Sequence, residues 1–192
     1  MIAGPAGFTH CPGCGQALEA RVRGDRLRPH CPGCARVVFH NPAVGVAVVL
    51  LDDADRLLLA RRSRSYAGLW CIPCGYVEWD EDVRVAAARE VAEETGLEVA
   101  VGDVFAVHSN FHDANQHTVG IWFRGRVLGG HLQPADDVDL VGFHPVDDLP
   151  GPLAFPTDEL VVDQLRAELA ARRGGPTSTT GPPGPIGPGR SG

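Results

Sequence analysis

Between Gly75 and Leu97 the chain reads "GYVEWDEDVRVAAAREVAEETGL", with carboxylates at intervals a helix can gather. Glu90 and Glu94 are i,i+4 neighbours there, and Glu93 lies three residues from Glu90. Like charges at that spacing weaken a bare helix, so the pattern points to a cation load rather than a plain acidic surface helix. Hard oxygen ligands select Mg2+ or Mn2+ over zinc. In an acidic chain such ions could bring the positive charge that a polyanionic substrate needs.

Soft ligands stand elsewhere. Cys11-Pro-Gly-Cys14 and Cys31-Pro-Gly-Cys34 form two C-x2-C pairs sixteen residues apart. Each turns tightly, and together they can complete a tetrahedral four-sulfur zinc shell. The competing reading is four buried or disulfide-bonded cysteines. About 30 residues cannot build an adequate core alone, so structural Zn2+ would supply the folding energy. His10, His30 and His40 are expected at the surface or beside the site. A third pair, in Trp70-Cys71-Ile72-Pro73-Cys74, has a thioredoxin-like spacing. A redox site should end a strand and open a helix, whereas Gly75-Tyr76-Val77 reads as extended chain. Cys71 and Cys74 are therefore expected to be bystanders.

The elements that must position these groups read as an α/β fold. "VGVAVVLLD" and "RLLLARR", split by "DADR", predict a β-hairpin. "DVRVAAAREVAEETG" predicts a helix stopped by Gly96, with Val85, Ala88, Val91 and Ala92 on its packing face. "LEVAVGDVFAVHS", "TVGIWFRGRV" and "LVGFHPV" predict strands. "TDELVVDQLRAELAARR" predicts a closing amphipathic helix with Thr157 as N-cap. Three parts separate by composition: a cysteine-rich segment over 8–40, a main domain over 41–172, and a Gly/Pro-rich tail over 173–192 expected to be disordered.

The chain has 192 residues and a formal charge of −7, which argues against bulk nucleic-acid or anionic-membrane binding. All 17 basic residues are Arg, so any phosphate clamp is a guanidinium. Arg21, Arg23, Arg26 and Arg28 fall on an expected hairpin and read as a solvated face. No apolar run reaches the roughly 20 residues of a membrane helix. The first residues lack a signal-peptide layout. A cytoplasmic protein with reduced thiols is expected.

The run Gly75, Glu81, Arg89, Glu90, Val91, Glu93, Glu94, Gly96 and Leu97 matches every fixed position of the Nudix box, G-x5-E-x7-R-E-U-x-E-E-x-G-U with U aliphatic. The resemblance covers roughly residues 41–172. It implies a Nudix α/β/α sandwich, with a mixed sheet between helices, carrying a small N-terminal zinc ribbon. It also implies hydrolysis of a nucleoside diphosphate linked to another moiety. By the same resemblance, Glu90, Glu93 and Glu94 hold the divalent cations, joined by the main-chain carbonyl of Cys74, where the family often has Gly. Glu81 and Arg89 form a supporting ion pair. The general base is Glu93 or an acid outside the box, Asp113, Asp136 or Asp137.

The substrate follows more loosely. "FHNPAVGVAVVLL", "GLWCIPCGYVE" and "GPLAFPTDELVV" resemble plant-type ribbon-bearing Nudix enzymes that cleave ADP-ribose and FAD, releasing AMP. NADH pyrophosphatases share the layout but carry a Ser-Gln-Pro-Trp-Pro-Phe-Pro run that "VHSNFHDANQHTVGIWF" lacks, so NADH or NAD-capped RNA is the second reading. Modified nucleoside triphosphates and a non-catalytic nucleotide sensor complete the alternatives. Arg61, Arg62 and Arg64 are candidate phosphate clamps or a solvated strand end. Phe111, Trp122 and Phe155 are candidate stacking rings or core. His112 and His117 read as surface residues, and Trp70 as core. A homodimer is expected by analogy with the family.

Overall fold

A computed structural model describes residues 8–174. Of the tail expected over 173–192, residues 173 and 174 belong to the last helix and 175–192 lie outside the described residues. The N-terminal segment is a hairpin, β1 (Glu19–Arg23) with β2 (Arg26–His30), flanked by the two cysteine knuckles. The knuckles repeat one another. Cys11 N–H donates to Gln16 O, and Cys31 N–H to Arg36 O, both at 2.8 Å. The residue after each second cysteine is left-handed, Gly15 at φ 73° and Ala35 at φ 58°. Only the first has the residue type that adopts it without strain.

The rest is a three-layer α/β sandwich. A four-stranded mixed sheet has the order β6 (Cys74–Tyr76), β3 (Ala43–Leu50), β8 (Thr118–Gly130), β7 (Leu97–Asn110), with β3 and β8 parallel. A three-stranded antiparallel sheet has the order β5 (Trp70–Cys71), β4 (Arg56–Arg62), β9 (Val138–Pro145). Alternation along the strands sends side chains to opposite faces. Val46, Val48, Leu50 and Leu58 pack under α1 (Val83–Thr95). Ala47, Val49, Leu57 and Leu59 pack under α2 (Pro156–Gly174). Both faces are buried, which is why these strands read as continuous apolar runs rather than alternating ones.

That double burial also explains a departure from expectation. The "VGVAVVLLD…RLLLARR" segment is no hairpin: β3 and β4 enter different sheets, and only Leu51 and Leu57 bridge across the turn. The chain passes from one sheet to the other three times, at 51–55, at Ile72-Pro73 and at 131–137.

Helix α1 starts and stops as its sequence directs. Asp82 caps it, accepting from the Arg84 N–H at 2.9 Å, and Gly96 ends it at φ 69°. Its packing face differs from the expected one. Val85 is 59% exposed and Ala92 is exposed, while Ala86, Ala87 and Val91 are buried. The helix is rotated so that small Ala86 and Ala87 bring its backbone close to the sheet. Glu90 and Glu94 then fall within the inward arc.

Helix α2 begins at Pro156, so Thr157 lies in its first turn, buried, and not at the N-cap. Pro suits that first position because its missing N–H would have no helical acceptor. The helix runs on through Arg173 to Gly174.

Candidate active site

A cleft of about 460 Å3 is lined by residues of β3, β4, β6, α1, β7 and β8 and by the segments entering β5, β8, β9 and α2. On one wall stand Cys74, Gly75, Glu78, Glu90 and Glu94. Asp113, Asp136 and Asp137 face the same space, as do Arg62, Tyr66, His112 and Phe155.

The carboxylate wall is built around Arg89. Its Nε and Nη2 donate to the two oxygens of Glu81, each at 2.9 Å, and Nη2 also reaches Tyr76 O at 3.1 Å. Its Nη1 donates to Glu90 and to Glu93, each at 2.9 Å. The hydrogen bonds from Arg89 hold the Glu81 carboxyl below its ordinary range. Arg89 thus ties α1 to the turn at Glu81 and to the end of β6.

Glu90 and Glu94 enter the cleft, and Glu93 does not line it. The Glu93 side chain is 50% exposed and stays on Arg89. Glu90 lies directly against Gly75, where any Cβ would overlap its carboxyl group. Glu94 is 2% exposed and accepts the Cys74 N–H at 3.0 Å. Burial raises the Glu94 carboxyl to about 8 and moves Glu90 in the same direction, with Asp137 and Asp136 adding like-charge repulsion. Hard oxygen donors in a cradle kept open by glycine fit a divalent cation.

An aromatic group lines the same cleft. The Tyr66 hydroxyl and His112 Nε2 are hydrogen-bonded at 2.8 Å, and both rings contact Phe155 at centroid distances of 5.4 and 5.6 Å. Tyr66 is held at φ 57°, an uncommon conformation for a bulky residue. Arg62 stacks over Phe155 at 5.6 Å and pairs with Asp137 at 2.7 Å. Its neighbour Arg61 points to the other face of β4, paired with Asp139 at 2.7 Å, and does not line the cleft. Phe111 is 66% exposed and outside it. Of the expected clamps and rings, the structure brings Arg62, Phe155 and Trp122 to the cleft.

Three contributors were not singled out from sequence: Glu78, Tyr66 and Asp158. Glu78 had a signal, a carboxylate three residues past Gly75. Asp158 had none, since an acid in a helix's first turn is usually solvated. Here it is buried, with Oδ2 accepting the Ile72 N–H at 3.1 Å and Oδ1 accepting Trp122 Nε1 at 3.0 Å. Burial raises its carboxyl to about 7. Glu94 from α1 and Asp158 from α2 thus hold the Ile72–Cys74 segment from both sides. Cys71 is fully buried beside Ala60 and Ala154. Its Cys71 neighbour and burial push the Cys74 thiol well up, the reverse of what a redox nucleophile needs.

Away from the cleft, the sulfur atoms of Cys11, Cys14, Cys31 and Cys34 all lie within 4.8 Å of one another. Cys11–Cys34 and Cys14–Cys31 are 3.6 and 3.4 Å apart, near the ~3.8 Å edge of a zinc tetrathiolate with bonds of about 2.3 Å. Among the described residues it is the one set of His, Cys, Asp or Glu gathered this tightly. No helix among them is long and apolar enough to cross a membrane.

Comparison with known proteins gives a match to the NUDIX domain over residues 41–164. An ADP-ribose pyrophosphatase of Methanocaldococcus jannaschii is 34% identical over 130 residues, 67% of this chain and 76% of that protein. The NAD-capped RNA hydrolase NudC of Stutzerimonas stutzeri is 33% identical over 187 residues, 93% of this chain but 60% of its own length. A NUDIX hydrolase structure from Nitrosomonas europaea superposes with a TM-score of 0.74 at 28% identity, covering 88% of this chain and 94% of that one.

Proposed function

The chain belongs to the Nudix hydrolases, a family that acts on nucleotide pyrophosphates with divalent metals, and on that footing we propose that it hydrolyses ADP-ribose or FAD, releasing AMP. The observation that carries this is the lining of one cleft: carboxylates cradled at Gly75 share it with Arg62, Tyr66, His112 and Phe155. The carboxylates suit a pyrophosphate with its cations, and the aromatic rings with Arg62 suit a planar base and a phosphate oxygen. The likeness to the Methanocaldococcus jannaschii pyrophosphatase supports the same substrate class.

Glu90, Glu94, the Cys74 carbonyl and Glu93 are the proposed ligands of Mg2+ or Mn2+. When bound, the metal supplies charge neutralisation at the phosphoryl oxygens and a water of lowered pKa. Glu93 joins this set only by leaving Arg89. Arg89 and Glu81 hold α1 in place. Asp136 is the proposed general base, in preference to Asp113 and to Asp137, which is committed to Arg62. It lines the cleft, makes no ion pair among the described residues, and is held at φ 52°. The four-cysteine set is proposed as a structural Zn2+ site, in a small unit over 8–40 beside the catalytic domain.

A second reading has one observation behind it. The NudC match extends through the cysteine segment, which favours NADH or NAD-capped RNA. The test is hydrolysis of ADP-ribose, FAD, NADH and 8-oxo-dGTP with Mg2+ or Mn2+, products resolved chromatographically. AMP from ADP-ribose or FAD at higher kcat/KM than from NADH is the expected result. A preference for NADH would replace this reading with the second.

A further inference from the structure

The net charge of the chain conceals a segregation. Residues 8–40 carry five arginines against two acids, within a protein of formal charge −7. Four of the five are on the β1–β2 hairpin, and the register decides where they point. Arg21 is directly opposite Arg28, and Arg23 directly opposite Arg26. Residues paired across an antiparallel ladder share a face, as do residues two apart on one strand. All four guanidiniums therefore leave the same side, in two rows about 6.8 Å apart, while Val22 and Leu27 take the other.

Like charges directly opposite one another weaken a ladder. No carboxylate offsets them: none of the four reaches one within 4 Å among the described residues, and Arg21 Nη1 meets only His30 Nε2, at 3.4 Å, while the first face position, Glu19, pairs with His30 at 3.6 Å. Beside them an aromatic ring lies open. Phe39 is 55% exposed, and the Arg28 guanidinium sits over it at 4.8 Å.

We propose that this arginine face docks a single-stranded nucleic acid, with the guanidiniums on successive phosphates and Phe39 stacking an unpaired base. Rows of fixed cations without carboxylate partners complement a polyphosphate backbone. An exposed ring flanked by a guanidinium selects a strand whose bases are free. A duplex or a lipid surface offers Phe39 no base to stack. None of these residues lines the cleft, and the proposal does not rest on the choice of ADP-ribose or FAD.

The test uses the full zinc-loaded chain and a short fluorescein-labelled oligouridylate, with affinity followed by anisotropy from about 50 to 200 mM salt. The wild type is expected to bind it more tightly than an RNA duplex. The fourfold variant Arg21→Gln, Arg23→Gln, Arg26→Gln, Arg28→Gln should bind at least ~10-fold more weakly and flatten the log–log salt slope by about 3. Zinc content and hydrolysis of small nucleotides should not change. Phe39→Leu should weaken binding while leaving the salt slope intact. If the fourfold variant loses zinc, Arg23→Glu with Arg26→Glu at the hairpin tip decides, and it should abolish binding. Equal affinity and slope in wild type and variants would overturn the proposal. So would binding to phosphatidylglycerol vesicles in place of RNA, or arginine-dependent dimerisation without RNA binding.

Discussion

Glu90 and Glu94 reach the cleft by different means, and each exposes a different dependence. Glu90 needs the space above Gly75, so Gly75→Ala should displace its carboxylate and lower kcat/KM by at least ~100-fold, as misplacement by an ångström can. A Gly75→Ala enzyme of unchanged kcat/KM would show that Glu90 works from elsewhere. Glu94 is buried, and its carboxyl titrates at about 8 rather than 4.5. A raised folded pKa favours the protonated folded state. Its contribution to stability is complete below pH 4.5 and is lost as pH rises through about 8. The metal-free wild type should therefore lose thermal stability over that interval, and Glu94→Gln should remove the part of the loss attributable to this group. Mg2+ should restore stability to the wild type alone, and Glu94→Gln should abolish turnover while remaining folded. A mutant with wild-type kcat would end the assignment. Helical spacing grouped Glu90, Glu93 and Glu94, whereas Arg89 and Glu81, the latter ahead of α1, entered only through the resemblance to the Nudix box. Where each carboxylate points was not legible: Arg89 bonds both Glu90 and Glu93, and spacing alone does not say which of them also enters the cleft.

The elements were legible to different depths. The stop of helix α1 at Gly96 was legible, since caps are local chemistry, while the capping role of Asp82 came from the structure. Its rotation was misjudged because Val85 outranks Ala86 and Ala87 in apolarity, whereas close approach to the sheet rewards small residues. The β3–β4 turn looked like a hairpin because local patterning cannot say which sheet a strand joins. Asp158 shows the same limit, being an ordinary first-turn acid until α2 carries it under Ile72 and Trp122. Asp158→Ala should cost about 2–4 kcal/mol, by leaving two buried N–H groups without an acceptor. Equilibrium denaturation would measure it, and a loss under about 0.5 kcal/mol would mean that water reaches both groups. The knuckles were legible from spacing alone, because C-x2-C pairs turn the same way wherever they occur. Metal analysis should find about one zinc per chain, lost in Cys11→Ser. A folded wild type free of zinc would refute that site.

At the scale of the molecule, the three passages between sheets account for where the cleft lies. Two of them, Ile72-Pro73 and residues 131–137, bring Cys74 on one side and Asp136 and Asp137 on the other to the same opening. Sequence could name these residues but could not bring them together, since the pairing of β4 with β9 spans most of the domain. The Ile72–Cys74 segment also has a consequence for how the protein opens. Its two anchored amides are held by carboxyls from helices on opposite faces, so releasing either means detaching a helix. Such a segment has no private route to solvent. Its amide hydrogens should exchange with deuterium only when the whole domain unfolds, at the pace of the central β3 amides. Faster exchange at Ile72 alone would reveal α2 peeling away by itself, and at Cys74 alone would reveal α1 doing so.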